Sequence, residues 1–502
     1  MASTKFYGAQ LGGKTVINYS YTDSPLRLLR WDIFYFFKFA WAWLYIVWPF
    51  TPTDSGALDE LALTLPNVWA MFVHAVLFVL QLAFLLSIPF ALVLPAYLTG
   101  LAMAIFFTFN WLLCMLLNGS GVEYTSDPKY TPDAEAYANE QWVFLNGVAV
   151  GSGIIFDVIE CLIQRNFGYA TNDIRVCYKI VKEKLYNPQF SKVVFILHSQ
   201  GGIEGGMVCD WLLQELPQDL LAKLEVYTFG CASNHFNNPH RHVNWQHQAL
   251  SHPVQASADT AAPPVPSTTP KKGAGRTNGA SKNDRRTSPS QAQANGTDCR
   301  TQALRLLTET SSLHPTDTSG LAIGHIEHYA HTTDFVAVWG ILHFATTARS
   351  SHMLPRFKGR VFARTSPRGG HQLCQHYLDG MFPLERNPKT GEFLGAAEKG
   401  NEFMESDIVL GRDGDESADV REAYQGSWIG EALAETPDDM AAAADSTVKI
   451  HGGTPVASRS GTRRVKVKDL SRLWLYRNGR VPDEKPPLLH QEPDGVVRGA
   501  TL

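Results

Sequence analysis

The chain is short of several things, and each shortage narrows what it can do. Its formal charge is only −4 over 502 residues, so no basic surplus points to nucleic acid. Its seven cysteines (Cys114, Cys161, Cys177, Cys209, Cys231, Cys299 and Cys374) are scattered and include no CxxC pair. An odd, widely spaced set argues against a disulfide framework and fits a reducing compartment. Cys114, Cys161, Cys177 and Cys209 fall on apolar or amphipathic segments and read as packing residues. The opening "MASTKFYGAQLGGKTVINYS" lacks the apolar core of a signal peptide. Neither "GGIEGG" nor "GVAVGSG" is followed by Gly-Lys-Ser/Thr or fits G-x-G-x-x-G, so phosphate-cradling loops are not expected and no cofactor is called for.

The longest absence is of charge. From Asn67 to Leu117 there is no Asp, Glu, Lys or Arg. A helix rises about 1.5 Å per residue and about 20 residues cross a bilayer, so this run suffices for two crossings. Pro89 and Pro95 interrupt it. The expectation is a transmembrane helical hairpin within 67–118, with spans near 67–88 and 96–117; the alternative is a buried core hairpin. Within the N-terminal region 1–66, "WDIFYFFKFAWAWLYIVWPF" (31–50) is apolar and aromatic but carries Asp32 and Lys38. It is either a third span or a helix lying in the interface, where Trp and Tyr are favoured. Arg27 and Arg30 precede it and Asp54, Asp59 and Glu60 come after it, which places the N-terminus in the cytosol. Two spans return the rest of the chain to that side and three put it across. The free cysteines and a basic linker favour the cytosolic side.

From 141 to 384 the chain alternates strand and helix. "WVFLNGV" (142–148), "KVVFIL" (192–197) and "LEVYTFG" (224–230) are β-prone, and the last two are continuous apolar runs expected of strands buried on both faces. Helices are expected at 170–186, capped by Thr171 or Asn172, and at 206–216. The pattern predicts an α/β fold, a mostly parallel sheet flanked by helices and preceded by the membrane segment. Residues 247–318, rich in Pro, Ser, Thr and Gly, read as a disordered insertion; "RRTSP" (285–289) reads as solvated linker or phosphorylation site. Residues 385–502 read as a largely disordered tail. One stretch there, 463–480, mixes seven Lys and Arg with Leu470, Leu473, Trp474, Leu475 and Tyr476, and either touches an anionic membrane or packs back on the domain.

One short stretch carries the chemistry. "KVVFILHSQGGIEGG" places Ser199 between a strand and a glycine-rich helix start. A serine on such a strained turn presents its hydroxyl above the sheet, with backbone N–H groups aimed at a developing oxyanion. Gly201 fills the second small position of G-x-S-x-G, but Leu197 stands at the first. A nucleophilic serine needs an acid and a histidine behind it, in the order Ser, acid, His. Asp334 in "HYAHTTDFVAVWG", expected just before another strand or at a strand end, and His371 in "GRVFARTSPRGGHQLCQHYL", on a loop after a glycine pair, supply them; His376 is the fallback base.

"FILHSQGG", "YTFGCASNHFNNP" (227–239), "HTTDFVAV" and "GGHQLCQHYL" together resemble the α/β-hydrolase superfamily, in a variant akin to class 3 lipases, and the first also resembles a group of fungal membrane-associated hydrolases. The resemblance covers 141–384 and implies a catalytic triad of Ser199, Asp334 and His371. An oxyanion hole is expected from the backbone of Gln200 and of the "FLNGVAVG" loop, at Gly147 or Val148. The fold normally has a helix and a further strand between that loop and the nucleophile strand, and here that unit looks short or missing. The expected activity is cleavage of a carboxylic ester, of a membrane lipid or a small molecule, by a membrane-anchored serine hydrolase. The rival is an inactive hydrolase fold serving as a membrane-tethered interaction module, with protein partners unspecified. His325, His328 and His331 in "GHIEHYAH" lack a second ligand group, so no metal is expected.

Overall fold

The computed structural model describes residues 3–7, 24–48, 59–118, 123–126, 137–147, 152–239, 321–347, 359–397, 399–410 and 466–482. The expected insertion at 247–318 and the tail at 411–465 and 483–502 lie outside the described residues.

Continuous apolar runs form the middle of the sheet. Strands β3 (Lys192–His198) and β4 (Leu224–Phe229) are buried almost throughout, because side chains alternate across the sheet and both faces are covered. With β2 (Glu140–Asn146), β5 (His325–His331) and β6 (Arg360–Thr365) they make five consecutive parallel strands. A separate antiparallel hairpin, β7 (Leu384–Arg386) and β8 (Phe393–Ala396), comes after them in the chain. Two further strands join the main sheet from outside the expected domain. Strand β1 (Ser3–Tyr7) pairs antiparallel with β6, and β9 (Asp407–Leu410) pairs parallel with β1. The order is β2-β3-β4-β5-β6-β1-β9, a mostly parallel seven-stranded sheet.

One face is covered by helices α4 (Ile154–Phe167), α5 (Asn172–Tyr186) and α6 (Gly201–Glu215), together with the helix Phe335–Trp339. Helix α6 begins at Gly201, five residues before the expected 206. The other face, carrying Val194, Tyr227, Phe229, Tyr329 and Phe362, is covered by Tyr377, Met381, Phe403, Met404, Val467, Leu470, Leu473 and Tyr476. Parts of 385–502 are therefore fold rather than tail. The physical reason is that a parallel sheet has a second apolar face that must also be dried, and the short helices Leu373–Leu378, Asp379–Met381, Val467–Leu470 and Leu473–Gly479 cover it. The stretch 463–480 packs back: among its described residues, Arg472 donates from Nε and Nη2 to Glu225 Oε1 at 2.9 and 2.7 Å, and Tyr476 Oη donates to Glu225 Oε2 at 2.8 Å.

The aromatic N-terminal segment is not a single span. Helix α1 (Pro25–Lys38) has 14 residues and gives way to a 3-10 helix, Ala40–Ile46. At about 1.5 Å per residue α1 reaches about 21 Å, short of a bilayer core of about 30 Å. Its Asp32 is buried and accepts from Arg165 Nε (2.9 Å) and Asn166 Nδ2 (2.6 Å) on α4. The Arg165 guanidinium also lies 3.8 Å from the Trp339 ring centroid. Phe36 packs on Phe335 and Trp339, while Trp31, Phe34 and Phe37 face outward. Helices α2 (Leu65–Ser87) and α3 (Ala96–Leu117) come next, and each is long and apolar enough to cross a membrane. Pro89 lies in the turn between them and Pro95 caps α3. Phe72, Val79, Leu86, Ile105 and Trp111 on these helices are exposed.

Burial pushes the Glu225 carboxyl up, but Arg472 and Lys192 outweigh it and hold its pKa at about 2. That stabilisation is complete above the ordinary value of 4.5 and is lost as pH falls toward 2. Arg472→Ala leaves the buried carboxylate without its strongest partner and should cost about 3–5 kcal/mol. Urea unfolding of detergent-solubilised protein is expected to show this gap at pH 7 and a narrower one at pH 3, where Glu225 begins to protonate in the variant.

Candidate active site

The turn after β3 is strained at one residue. Ser199 has φ +59°, a left-handed conformation that costs a non-glycine residue about 1–3 kcal/mol and persists only where its surroundings hold it. Here the surroundings are the backbone: Ser199 N–H donates to Phe229 O at 3.1 Å, and Ser199 O accepts from Gly202 (3.0 Å) and Ala232 (3.1 Å).

Leu197 is the irregular position of the serine motif, and helix α6 accommodates it. Leu197 is fully buried, and a Cβ added at Gly205 would sit 2.4 Å from both of its methyl carbons. The compactness expected from a glycine before the serine is supplied by a glycine in the helix facing it.

The structure brings Ser199, His371 and Asp334 together across the sheet. Ser199 Oγ lies 2.9 Å from His371 Nε2, and His371 Nδ1 lies 3.0 and 3.1 Å from Asp334 Oδ1 and Oδ2. Ser199 and His371 are each 7 % exposed and Asp334 is fully buried, so the three are nearly shielded from water yet not sealed. Asp334 leads into a helix, not a strand: it is the N-cap, with Oδ1 accepting from Val336 N (2.8 Å) and Ala337 N (3.3 Å). Tyr377 Oη donates to Oδ2 at 2.7 Å. Burial alone would raise the Asp334 pKa, but His371, Tyr377 and the helix N–H groups outweigh it and hold the carboxyl below its usual range. The aspartate is thus an anion that can orient the imidazole.

Three residues of the site went unread in the sequence. His198, next to the serine, stacks on His371 with centroids 4.8 Å apart and contacts the His371 carbonyl through Nε2 at 2.8 Å. A carbonyl only accepts, so Nε2 carries the hydrogen. Burial and the neighbouring His371 push the His198 pKa down to about 3, so the ring is neutral and acts as a brace. Gly230, at the end of β4, has φ +54°, and a Cβ there would come 2.6 Å from Asp334 Oδ2 and 3.0 Å from His371 Nδ1. Tyr377 lies 43 residues beyond Asp334 and has no sequence signal. The fallback His376, on the helix Leu373–Leu378, has its Nδ1 accepting from the N–H of the N-cap Gln372 at 3.0 Å, while His371 is the histidine bonded to Ser199.

The oxyanion side is partly defined. Strand β2 pairs with β3 along its whole length, Asn146 opposite His198, so Gly147 arrives beside the elbow. A Cβ on Gly147 would lie 2.4 Å from Gln200 Cβ. Val148 lies outside the described residues. Among the described residues no acceptor takes the Gln200 backbone N–H, while its side-chain Nε2 donates to Gln164 Oε1 at 3.0 Å. Between β2 and β3 the structure has α4 and α5 without a further strand among the described residues, leaving β2 at the sheet edge. The shortened connection does not separate Gly147 from Ser199.

The three histidines of "GHIEHYAH" do not converge. On β5 the strand alternation puts His328 on one face and His325 and His331 on the other. Each has its own partner: Glu327 for His325 (2.8 Å), Thr228 for His328 (2.8 Å) and the His376 carbonyl for His331 (2.9 Å).

Tyr377→Phe removes a hydrogen bond to a buried anion and should destabilise the fold by about 1.5–3 kcal/mol. Because the lost bond favoured the charged form, the Asp334 pKa rises in the variant. Acid unfolding, monitored by circular dichroism, should therefore begin at a higher pH than in wild type. A scan against protein-family models and searches of curated proteins and of solved structures give no match to this chain.

Proposed function

We propose that the protein is a membrane-anchored serine hydrolase of the α/β-hydrolase type, akin to class 3 lipases, that cleaves a carboxylic ester through an acyl-enzyme on Ser199. The observation that carries this reading is the unbroken chain Ser199 Oγ–His371 Nε2 and His371 Nδ1–Asp334, mounted on a left-handed strand-to-helix turn. In the first half-reaction Ser199 Oγ attacks the ester carbonyl and its proton passes to His371 Nε2. Asp334 holds the Nδ1–H and stabilises the imidazolium that forms. The alkoxide leaving group takes the proton back from Nε2 as the carbon–oxygen bond breaks. Water then repeats the sequence on the acyl-enzyme and releases the acid. The negative charge on the tetrahedral oxygen falls to the Gln200 N–H and to the loop beginning at Gly147.

The membrane side of the reading rests on α2 and α3 as two crossings, with the catalytic domain on the cytosolic side. Helix α1 lies in the interface, docked by Phe36 and Asp32 and presenting Trp31, Phe34 and Phe37 outward. An ester carried by a bilayer lipid, or a smaller one dissolved near it, is the substrate class this placement serves.

The test is active-site labelling with a fluorophosphonate, alongside hydrolysis of p-nitrophenyl esters, on full-length protein in detergent. Wild type is expected to label once per chain and Ser199→Ala not at all. Asp334→Asn should lower kcat by about 10⁴-fold, since it leaves the imidazole in the wrong tautomer. Folded wild type that neither labels nor turns over ester, or labelling that survives in Ser199→Ala, removes the proposal.

A further inference from the structure

A general base must keep its place on the nucleophile through both half-reactions. His371 sits on the loop between β6 and the helix Leu373–Leu378, directly after Gly369 and Gly370. Packing imposes the second glycine, since a Cβ there would fall 2.4 Å from His376 Nδ1. Glycine leaves the backbone ahead of the histidine free to turn, so the loop must be held from its far side. The helix start on that side carries backbone N–H groups that the helix itself cannot pair. An N-cap side chain ordinarily accepts from the second or third helical residue. Here the N-cap is Gln372, whose side chain makes no such bond. Its Nε2 donates instead to the Ile46 carbonyl at 2.8 Å.

Glu60 does the capping, from 314 residues earlier in the chain. Its Oε1 accepts from the backbone N–H of Cys374 at 2.8 Å, and its Oε2 from that of Gln375 at 3.2 Å. Bonds to a carboxylate are stronger than neutral ones, and two oxygens with one donor each fix orientation as well as position. Glu60 is itself held in place. Asn67, in the first turn of α2, donates from Nδ2 to the carbonyls of Asp59 (3.2 Å) and Ala62 (3.1 Å), on either side of Glu60. Ala62 N–H closes the same turn on the Asp59 carbonyl at 3.1 Å.

We propose that Glu60 is a positioning residue for His371: by capping the helix that follows the histidine, it fixes the loop that keeps the base on Ser199. The inference rests on the serine-hydrolase reading. Glu60 acts through the backbone of Cys374 and Gln375, not on the reacting atoms. His371 Nε2 stands 2.9 Å from Ser199 Oγ, and a misplacement of about 1 Å at such a contact costs about 10²-fold in rate. His198, from the nucleophile strand, holds the His371 carbonyl at 2.8 Å. Glu60 supplies the second hold, from the segment that leads into α2.

The test uses full-length protein reconstituted in liposomes. Glu60→Ala removes both acceptors, and Glu183→Ala, which removes an exposed carboxylate on α5, is the control. Glu60→Ala should keep KM, while kcat and the fluorophosphonate labelling rate fall by up to about 10²-fold. Hydrogen–deuterium exchange over 371–378 should rise in Glu60→Ala and not in Glu183→Ala. If Glu60→Ala does not fold, Glu60→Gln, which keeps one acceptor oxygen, must show the same pattern with a smaller fall in kcat. Unchanged kcat, a fall in kcat without the rise in exchange, or a rise in KM alone overturns the proposal. Wild type that never labels instead sinks the hydrolase reading, and the exchange result still decides whether Glu60 holds the loop.

Discussion

The left-handed turn at Ser199 is the constraint around which the rest of the molecule is arranged. A non-glycine residue at φ +59° is held there by hydrogen bonds to the backbone beyond β4 and to the first turn of α6. That requires helix and strand to lie close together, and the glycines of α6 allow it. Gly205 receives the side chain of Leu197, which is why a bulky residue is tolerated two positions before the serine. The close approach also sets where β2 ends, since Gly147 fits against Gln200 only without a side chain. Strain at one residue thus dictates the spacing of an edge strand, a central strand and a helix.

Long-range polar contacts then tie distant parts of the chain to this centre. Asp32 from α1 meets Arg165 and Asn166 of α4, 133 and 134 residues away. Glu225 at the start of β4 meets Arg472 and Tyr476, 247 and 251 residues away. Buried pairs of this kind contribute little net stability, because desolvation offsets most of the attraction. Their effect is geometric: a displaced partner leaves a buried charge uncompensated, so the two segments are held in one register. Here they register α1 and the segment around Arg472 onto opposite faces of one sheet.

The electrostatics of the site arise from the same burial. Three histidines surround Asp334 or its partners, yet burial keeps His198 and His331 neutral, their pKa values lowered to about 3. Neither ring therefore adds a positive charge beside Asp334. Tyr377 and the helix beginning at Phe335 hold the aspartate as an anion where desolvation would protonate it. The neutral His198 can then serve as a rigid plate against which the His371 ring is stacked.

Local signals in the sequence determined the central strands, the apolar hairpin and the identity of Ser199, Asp334 and His371 as the residues to bring together. Each has a short-range cause: a β-branched run, an uncharged stretch broken by proline, a serine between a strand and glycines. The FVAV run after Asp334 is β-prone and suggests a strand, but the capping bonds of the aspartate override that propensity and start a helix. Only the tertiary structure decided whatever depends on a surface needing a cover. The second face of the sheet draws Val467, Leu470 and Leu473 out of a polar tail, β1 and β9 extend the sheet beyond β6, and Asp32 turns an apparent membrane segment into a docked helix. Composition cannot show these, because a segment of low apolar content folds when another part of the chain already offers the apolar area it lacks.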